Sequence, residues 1–289
     1  MNLRRHNLAV PVALLAICLG TSGARAELVL PRPSPNASVS QTIGVTNFTL
    51  TYSRPGVKGR VIWGGLVPYD STWRTGANEP TSLTTSDEIT VAGQKLPAGK
   101  YSVLTIPRRG EWTVIFSGQK DLQGSSNYDP KQDVMRVTAT PDTTQPHQEW
   151  LWLGLDDLTP NSGNLVLGWQ RLRLAVPIAV DVNATVLAGA RREIAAAKSD
   201  DWRTPHRAAT WCFDNSVALD EGAAWLEKSL SVQQAYANLS FKARWLAKDG
   251  KKPEAIATAK KAIEAGKASK PQVDTSTTEK LLAEWTAKK

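Results

Sequence analysis

The sequence predicts a multidomain protein of the α+β class, in which an antiparallel β-sandwich is followed by a small all-α domain of helical hairpins. Two observations predict the sandwich. Residues 38–180 form short runs of alternating apolar and polar residues divided by turn signals, and no run of helix length interrupts them. The third observation predicts the helical domain, because from Asp181 onward apolar residues recur every three or four positions.

The N-terminus has the pattern of an export signal. Arg4 and Arg5 precede an apolar stretch at residues 8–19, and residues 24–26 have the small-residue pattern of a cleavage site. We therefore expect a signal peptide at residues 1–26, cleavage after Ala26, and a periplasmic or secreted protein. No other long apolar stretch occurs, so no membrane span is expected.

Charge and cysteine content limit the classes of function. Removal of the signal takes away Arg4, Arg5 and Arg25 and leaves 32 Lys and Arg against 27 Asp and Glu, a net charge of +5. This mild and dispersed excess does not indicate a nucleic-acid partner. Cys212 is the one cysteine after the signal, so stability is expected to come from packing rather than from a disulfide.

The sandwich domain is predicted at residues 27–180 with roughly nine strands, a number typical of this architecture. In the strand at residues 45–52, every second residue is apolar, namely Phe48, Leu50 and Tyr52. The last strand places Leu172, Leu174 and Val176 on one face and Arg171 and Arg173 on the other. Such alternation predicts sheets with one buried and one exposed face.

One segment of this domain fits neither strand nor helix. Residues 52–81 contain five glycines, three prolines and nine charged, amide or tryptophan side chains, namely Arg54, Lys58, Arg60, Trp63, Asp70, Trp73, Arg74, Asn78 and Glu79. Glycine and proline set turns, while the other side chains need something to contact. The segment therefore predicts a loop-built recognition surface on a β scaffold.

Two interpretations of this segment remain open. In the functional one, the arginines clamp a carboxylate or phosphate while Trp63, Tyr69 and Trp73 offer faces for a sugar. In the structural one, Glu79 or Asp70 neutralises an arginine and the tryptophans cap the core. The functional interpretation predicts a polar pocket for an anionic or glycan ligand, with these ligand-binding residues: Arg54, Lys58, Arg60, Trp73, Arg74, Asn78 and Glu79.

The helical domain is predicted at residues 181–289, with apolar stripes at residues 187–197, 219–230 and 232–246, the last being the longest. Thr204-Pro205 and Pro253 are expected near helix starts. A shift of 33 residues aligns Glu221 with Glu254 and Lys228 with Lys261. This period resembles a tetratricopeptide repeat, whose stacked helix pairs form a surface for a protein partner, and an ordinary helical bundle is the alternative.

Several common chemistries lack the residues they require. After the signal, only His147 and His206 remain, far apart in the sequence, which argues against a histidine triad or a histidine-rich metal site. Cys212 lies in an apolar stretch typical of a buried thiol. Asp129 and Asp133 do not have the spacing of a calcium loop. No metal and no cofactor are expected.

Six motifs of the first half resemble those of the bacterial family called domain of unknown function 2911. They lie at residues 54–60, 65–69, 73–79, 96–102, 112–116 and 128–130. The resemblance covers about residues 38–180. Asp70 and Pro80 depart from the family pattern, where glycine and alanine are common. The resemblance implies an exported bacterial β domain, with a helical extension of a kind familiar in that family, and implies no particular activity.

Three functions are therefore considered. The first is a binding module that uses the predicted pocket. The second is a hydrolase of envelope material with Glu79 or Asp70 as acid or base, which requires a second carboxylate nearby. The third is a scaffold that holds a protein partner on the helical domain. Whether the chain is an enzyme is left open by the sequence.

Overall fold

A computed structural model describes residues 30–287 of the chain. The predicted signal peptide and its cleavage site lie outside the described residues. The strands are β1 (Asn36–Ile43), β2 (Thr46–Ser53), β3 (Ser82–Thr85), β4 (Ile89–Val91), β5 (Gln94–Leu96), β6 (Gly99–Ile106), β7 (Trp112–Ser117), β8 (Asp133–Ala139), β9 (Gln148–Asp156), β10 (Ser162–Gln170) and β11 (Leu172–Val180). The helices are α1 (Val182–Ala196), α2 (Arg203–Asn215), α3 (Leu219–Val232), α4 (Tyr236–Lys248), α5 (Lys252–Ala268) and α6 (Ser276–Thr286).

The strands form two antiparallel sheets, which confirms the predicted α+β class. The six-stranded sheet has the order β1-β2-β3-β6-β7-β8, and the five-stranded sheet has the order β5-β4-β11-β10-β9. Both sheets contribute to one apolar core. Phe48 of β2, Phe116 of β7 and Leu174 of β11 are almost completely buried in it, because alternate residues of each strand face inward.

The prediction of roughly nine strands was too low, since the described residues contain eleven. The strand β1 was missed because it lies at a sheet edge and its inward face is only weakly apolar, with the small Ala37 and the polar Gln41 beside Val39 and Ile43. The strand β3 was missed because it has only four residues.

The helices pack mainly in two antiparallel pairs, α2 with α3 and α4 with α5. Their starts repeat, because α2 begins at Arg203 and α4 at Tyr236, while α3 begins at Leu219 and α5 at Lys252, in both cases 33 residues apart. A helix occupies most of the predicted stripe at residues 232–246, but it begins later, at Tyr236, and is not the longest. A break at residues 233–235 separates α3 from α4, and α5 is the longest helix of the described chain. The tetratricopeptide-like character stays a prediction.

The change from strands to helices occurs between β11, which ends at Val180, and α1, which begins at Val182. Asp181 caps α1 by accepting a hydrogen bond from the backbone N–H of Ala184. The division into domains at residues 27–180 and 181–289 stays a prediction. Among residues 30–287, no helix combines the length and the apolar character needed to cross a bilayer.

Candidate functional site

The β2–β3 segment (residues 54–81) connects the second and third strands by an irregular path that touches both sheets. Near its start, Gly56 pairs with Trp150 of β9, and Val57 N donates to Glu149 O at 2.8 Å. Further on, Trp73 pairs with Thr105 of β6. The segment therefore lies where the five-stranded and six-stranded sheets meet, which is why glycine- and proline-rich sequence without strand periodicity is found here.

Four residues of this segment other than glycine have positive φ angles, namely Lys58, Asp70, Thr75 and Asn78. Thr75 is the most unusual of them, because a β-branched residue is disfavoured in the left-handed region. Hydrogen bonds stabilise this backbone conformation, since the Thr75 carbonyl accepts from Thr81 Oγ1 at 2.7 Å and the Thr75 hydroxyl donates to Thr105 Oγ1. The segment is thus a fixed structure and not a slack connection.

The tryptophans of the segment are partly buried and pack against the core. The ring of Trp63 makes edge-to-face contacts with Trp73, Trp112 and Trp169, at centroid distances of 5.8, 4.9 and 5.7 Å. The rings of Trp73 and Trp169 are stacked at 5.9 Å. Such pairs each contribute about 0.5–1.5 kcal/mol beyond the burial of area. The arrangement is that of the structural interpretation, in which the tryptophans cap the sandwich core.

Arg54 and Arg60 use part of their guanidinium groups to hold backbone carbonyls. Arg54 Nε donates to Leu151 O at 2.8 Å. Arg60 Nη2 donates to Gly56 O and Arg60 Nε to Val57 O. Because a guanidinium carries five N–H donors, each side chain is fixed in place while keeping donors for a further acceptor.

Lys58 lies at the junction with β9. Its backbone N–H donates to Glu149 Oε1 at 2.9 Å, and its Nζ lies 5.7 Å from the ring centroid of Trp150, within cation–π range. The backbone N–H of Lys58, followed by His147, lowers the pKa of Glu149, so this carboxylate stays charged beside the loop. Trp150 is 37 % exposed. The junction is therefore an accessible surface that combines exposed cations, one indole ring and the carboxylate of Glu149.

Arg74 lies on the other side of the segment, beside the loop that precedes β8. A Cβ placed on Gly124 would lie 3.1 Å from Arg74 Nη1, which brings the arginine against that loop. Arg74 Nε is buried and has no hydrogen-bond partner among the described residues. Arg74 is thus separate from the contact of Arg54 with β9 and from the contacts of Arg60 within the segment.

Asn78 and Glu79 lie at the ends of β1 and β2. The amide of Asn78 donates to Ser34 O at 3.1 Å and to Ser53 Oγ at 3.3 Å, and Ser53 Oγ also donates to Glu79 Oε2. These contacts hold the end of the segment to the sheet. They give Asn78 a structural role at this end of the segment.

The hydrolase hypothesis depended on Asp70 or Glu79. Asp70 is paired with Arg108 at 3.4 Å, and its backbone N–H donates to Pro107 O at the turn between β6 and β7. Glu79 belongs to the hydrogen-bonded group around Ser53 described above. The contacts found for these two residues therefore involve different partners and supply no support for paired-carboxylate hydrolysis.

The four cations of the segment have no carboxylate partner among residues 30–287. Arg54, Lys58, Arg60 and Arg74 share this with other cations such as Lys100 and Arg171, whereas Lys95, Arg108, Arg136, Arg173 and Arg191 do form ion pairs. Trp150 and Glu149 were not recognised from the sequence as neighbours of these cations. The alternation in residues 150–153 was the available signal, because it places Trp150 outward when Leu151 faces the core.

The residues considered for other chemistries have structural contacts. Asp129 caps a short 3₁₀ helix at Pro130–Gln132, and Asp133 accepts from Tyr128 and Arg136. Burial, followed by Asp133, raises the pKa of Tyr128 to about 12. Cys212 is fully buried, and burial raises the pKa of its thiol, which makes it a weak nucleophile. Within the described chain, no group of three or more His, Cys, Asp and Glu side chains is placed to hold a metal.

The comparisons with known proteins agree with the motif resemblance. A family model described as protein of unknown function (DUF2911) matches residues 34–178, half of the chain. The chain belongs to the DUF2911 family. The DUF2911 region runs from just before β1 into β11 and contains the whole β2–β3 segment. The comparison with curated proteins finds no match, and neither does the comparison with solved structures.

Proposed function

We propose that this protein is a binding module for an anionic ligand, and that the ligand docks where the β2–β3 segment meets β9. The observation that carries the proposal is the placement of Lys58 and Arg60 at this junction, with Lys58 Nζ over Trp150 and Arg60 held on Gly56, which pairs with Trp150. Lys58 and Arg60 are exposed, whereas Arg54 and Arg74 are half-buried. The exposed pair are the two that a ligand in solution can reach.

Preorganisation supports this assignment. Arg60 is held by two backbone carbonyls and Lys58 by a positive-φ turn whose backbone N–H is fixed on Glu149. Binding therefore orders little of the loop, which lowers the entropic cost of association. Arg54 is held on β9 by its hydrogen bond to Leu151 O, and its charge adds to the positive potential at this junction. Arg74, Asn78, Glu79 and Trp73 act in this proposal by holding the segment in shape.

The proposal predicts that the double variant Lys58→Ala/Arg60→Ala loses affinity for polyanions. Polygalacturonate and polyglutamate serve as probes, because both present carboxylates and only the first has sugar rings. We expect a loss of about tenfold at low salt, which shrinks as salt screens the charges. Isothermal titration calorimetry at two salt concentrations measures it.

The matched control is Lys95→Ala/Lys100→Ala, which removes the same charge from exposed residues at another place in the sandwich. Its binding is expected to stay close to that of the natural sequence. Equal losses in the two double variants would show that only net charge matters and would overturn the proposed site.

A further inference from the structure

Two tryptophans of β9 face away from the core. Leu151 and Leu153 are buried in the sandwich, so the alternation of the strand places Trp150 and Trp152 on the outer face of the five-stranded sheet. Both rings are partly exposed. The two tryptophans are two positions apart in the strand, so their Cα atoms lie about 7 Å apart and the two indoles stand side by side.

The ring of Trp152 lies flat on the sheet. A Cβ on Gly154 would lie 2.5 Å from Trp152 Cζ2, and a Cβ on Gly168 of β10, which pairs with Trp152, would lie 3.6 Å from its Cε3. The indole thus covers the backbone of Gly154 and reaches to Gly168. An aromatic ring that lies on glycine turns one face to the sheet and the other outward.

The same face continues into a polar depression. Asp157 and Asn164 line a shallow cavity of about 300 Å³ at the far end of β9. Asn164 Nδ2 donates to Asp157 Oδ2 at 2.8 Å, and Arg173 Nη2 donates to the same oxygen at 2.7 Å. We name this surface the β9 track and define it by Trp150, Trp152, Gly154, Asp157 and Asn164. The part of β9 from Trp150 to Asp156 is about 20 Å long.

The chemistry of the β9 track fits a chain of sugar rings. One face of a pyranose ring carries C–H bonds with partial positive charge, which pack on the negative face of an indole, while its hydroxyls need polar partners. The track offers indoles at one end and amide, carboxylate and guanidinium groups at the other. A protein interface of standard size needs about 800 Å² on each partner, far more than two side chains on one strand provide.

Charge complementarity selects among glycans. Lys58 Nζ lies over Trp150, and Arg60 is anchored on Gly56, which pairs with Trp150. The aromatic end of the track thus carries two exposed cations against one carboxylate, that of Glu149, whose Oε1 already accepts from the backbone N–H of Lys58. We infer that the β9 track binds an acidic polysaccharide, whose rings stack on Trp152 and Trp150 and whose carboxylates meet Lys58 and Arg60. The inference rests on the proposed function and adds the class of ligand to it.

Two variants test the track in the full chain. Trp152→Ala removes the stacking face, and Gly168→Val fills the space beside it, where the added Cβ makes only ordinary contact. Binding is measured with polygalacturonate, with the same polymer after reduction of its carboxyl groups, and with polyglutamate. Both variants are expected to lose about tenfold in affinity for the two sugar polymers. Neither is expected to change the affinity for polyglutamate, and thermal unfolding checks that each variant is folded.

The outcomes separate the two proposals. If the chain binds polygalacturonate and polyglutamate equally, and only Lys58→Ala/Arg60→Ala weakens both, the anion site stands and the sugar track is overturned. If the track variants weaken the carboxyl-reduced polymer while Lys58→Ala/Arg60→Ala weakens nothing, the anion site is overturned and the sugar track remains without charge selection. If none of the three polymers binds, both proposals are overturned.

Discussion

Gly56 shows how one residue fixes the position of the cationic surface. A Cβ at this position would lie 3.2 Å from Glu149 Oε1 and 3.3 Å from Trp150 Cζ3. A side chain here would be tight and would require Glu149 or Trp150 to move by a few tenths of an ångström, so glycine favours the close passage of the loop along β9. The sequence reveals that the segment is rich in glycine, but it does not reveal which backbone each glycine approaches, because the partner lies more than 90 residues away in the chain.

The cations of the β2–β3 segment illustrate the same limit. The cations themselves were evident from the sequence. The sequence also allowed two kinds of partner for them, a ligand or an internal carboxylate. The described chain supplies backbone carbonyls in place of carboxylates for Arg54 and Arg60. Carbonyl partners leave no signal in a sequence, since every residue carries one.

His206 provides a prediction for the pH dependence of stability. Its ring packs between Trp202 and Phe241, its Nδ1 is buried without a partner in the described chain, and burial lowers its pKa. The unfolded chain therefore binds a proton more readily than the folded one. The contribution of neutral His206 to the free energy of unfolding is therefore fully present above the ordinary histidine pKa of about 6.5. It is lost as the pH falls through the lowered pKa of the folded chain.

We accordingly expect the unfolding temperature to fall between about pH 7.5 and about pH 5.5, and His206→Gln to remove most of that fall. Differential scanning calorimetry at both pH values measures it. His147→Gln, at an exposed histidine, is the control and is expected to keep the slope. An unchanged slope in His206→Gln would contradict the assignment.

At the scale of elements, the strands with a strongly apolar face were predictable and those with a weak one were not. The strand β2 alternates Phe48, Leu50 and Tyr52 with polar residues, and its prediction is confirmed. The strand β1 pairs with it over its whole length, yet its inward face includes the small Ala37 and the polar Gln41, so that its apolar alternation is weak. Backbone pairing holds such an edge strand, and pairing depends on the neighbour more than on the side chains.

Packing between α2, α3 and α4 predicts opposite effects for two glycines. A Cβ on Gly222 of α3 would lie 2.7 Å from the Cβ of Cys212 and 3.2 Å from Trp245. Gly189 of α1 has no such neighbour, since its nearest contact is the flexible end of Arg192 at 4.0 Å. Alanine favours a helix over glycine by about 1 kcal/mol, so Gly189→Ala is expected to stabilise the chain by about that amount.

Gly222→Ala is expected to destabilise the chain by about 1–3 kcal/mol instead, because the helices must separate to admit the methyl group. Urea denaturation of the two variants gives both free energies of unfolding. A Gly222→Ala variant as stable as Gly189→Ala would show that α2 and α3 are not as closely packed as described.

For the whole molecule, composition and periodicity were enough for the class of fold and for the position at which strands give way to helices. They were not enough for the surface that we assign to binding. Trp63 and Trp73, which the sequence offered as stacking faces, are partly buried against the core, and Trp150 and Trp152 face outward. The difference arises because only the assembled sheets decide which side of each strand is covered.

The central claim is that one surface of the molecule, built from the β2–β3 segment and β9, receives the ligand. Two-dimensional NMR of the indole N–H groups tests it most directly, with the signals assigned by Trp→Phe variants and followed during titration with oligogalacturonate. We predict that the signals of Trp150 and Trp152 shift, while those of Trp112 and Trp169 in the core and Trp225 in the helices stay in place. Shifts in the helical tryptophans, with Trp150 and Trp152 unmoved, would contradict the account.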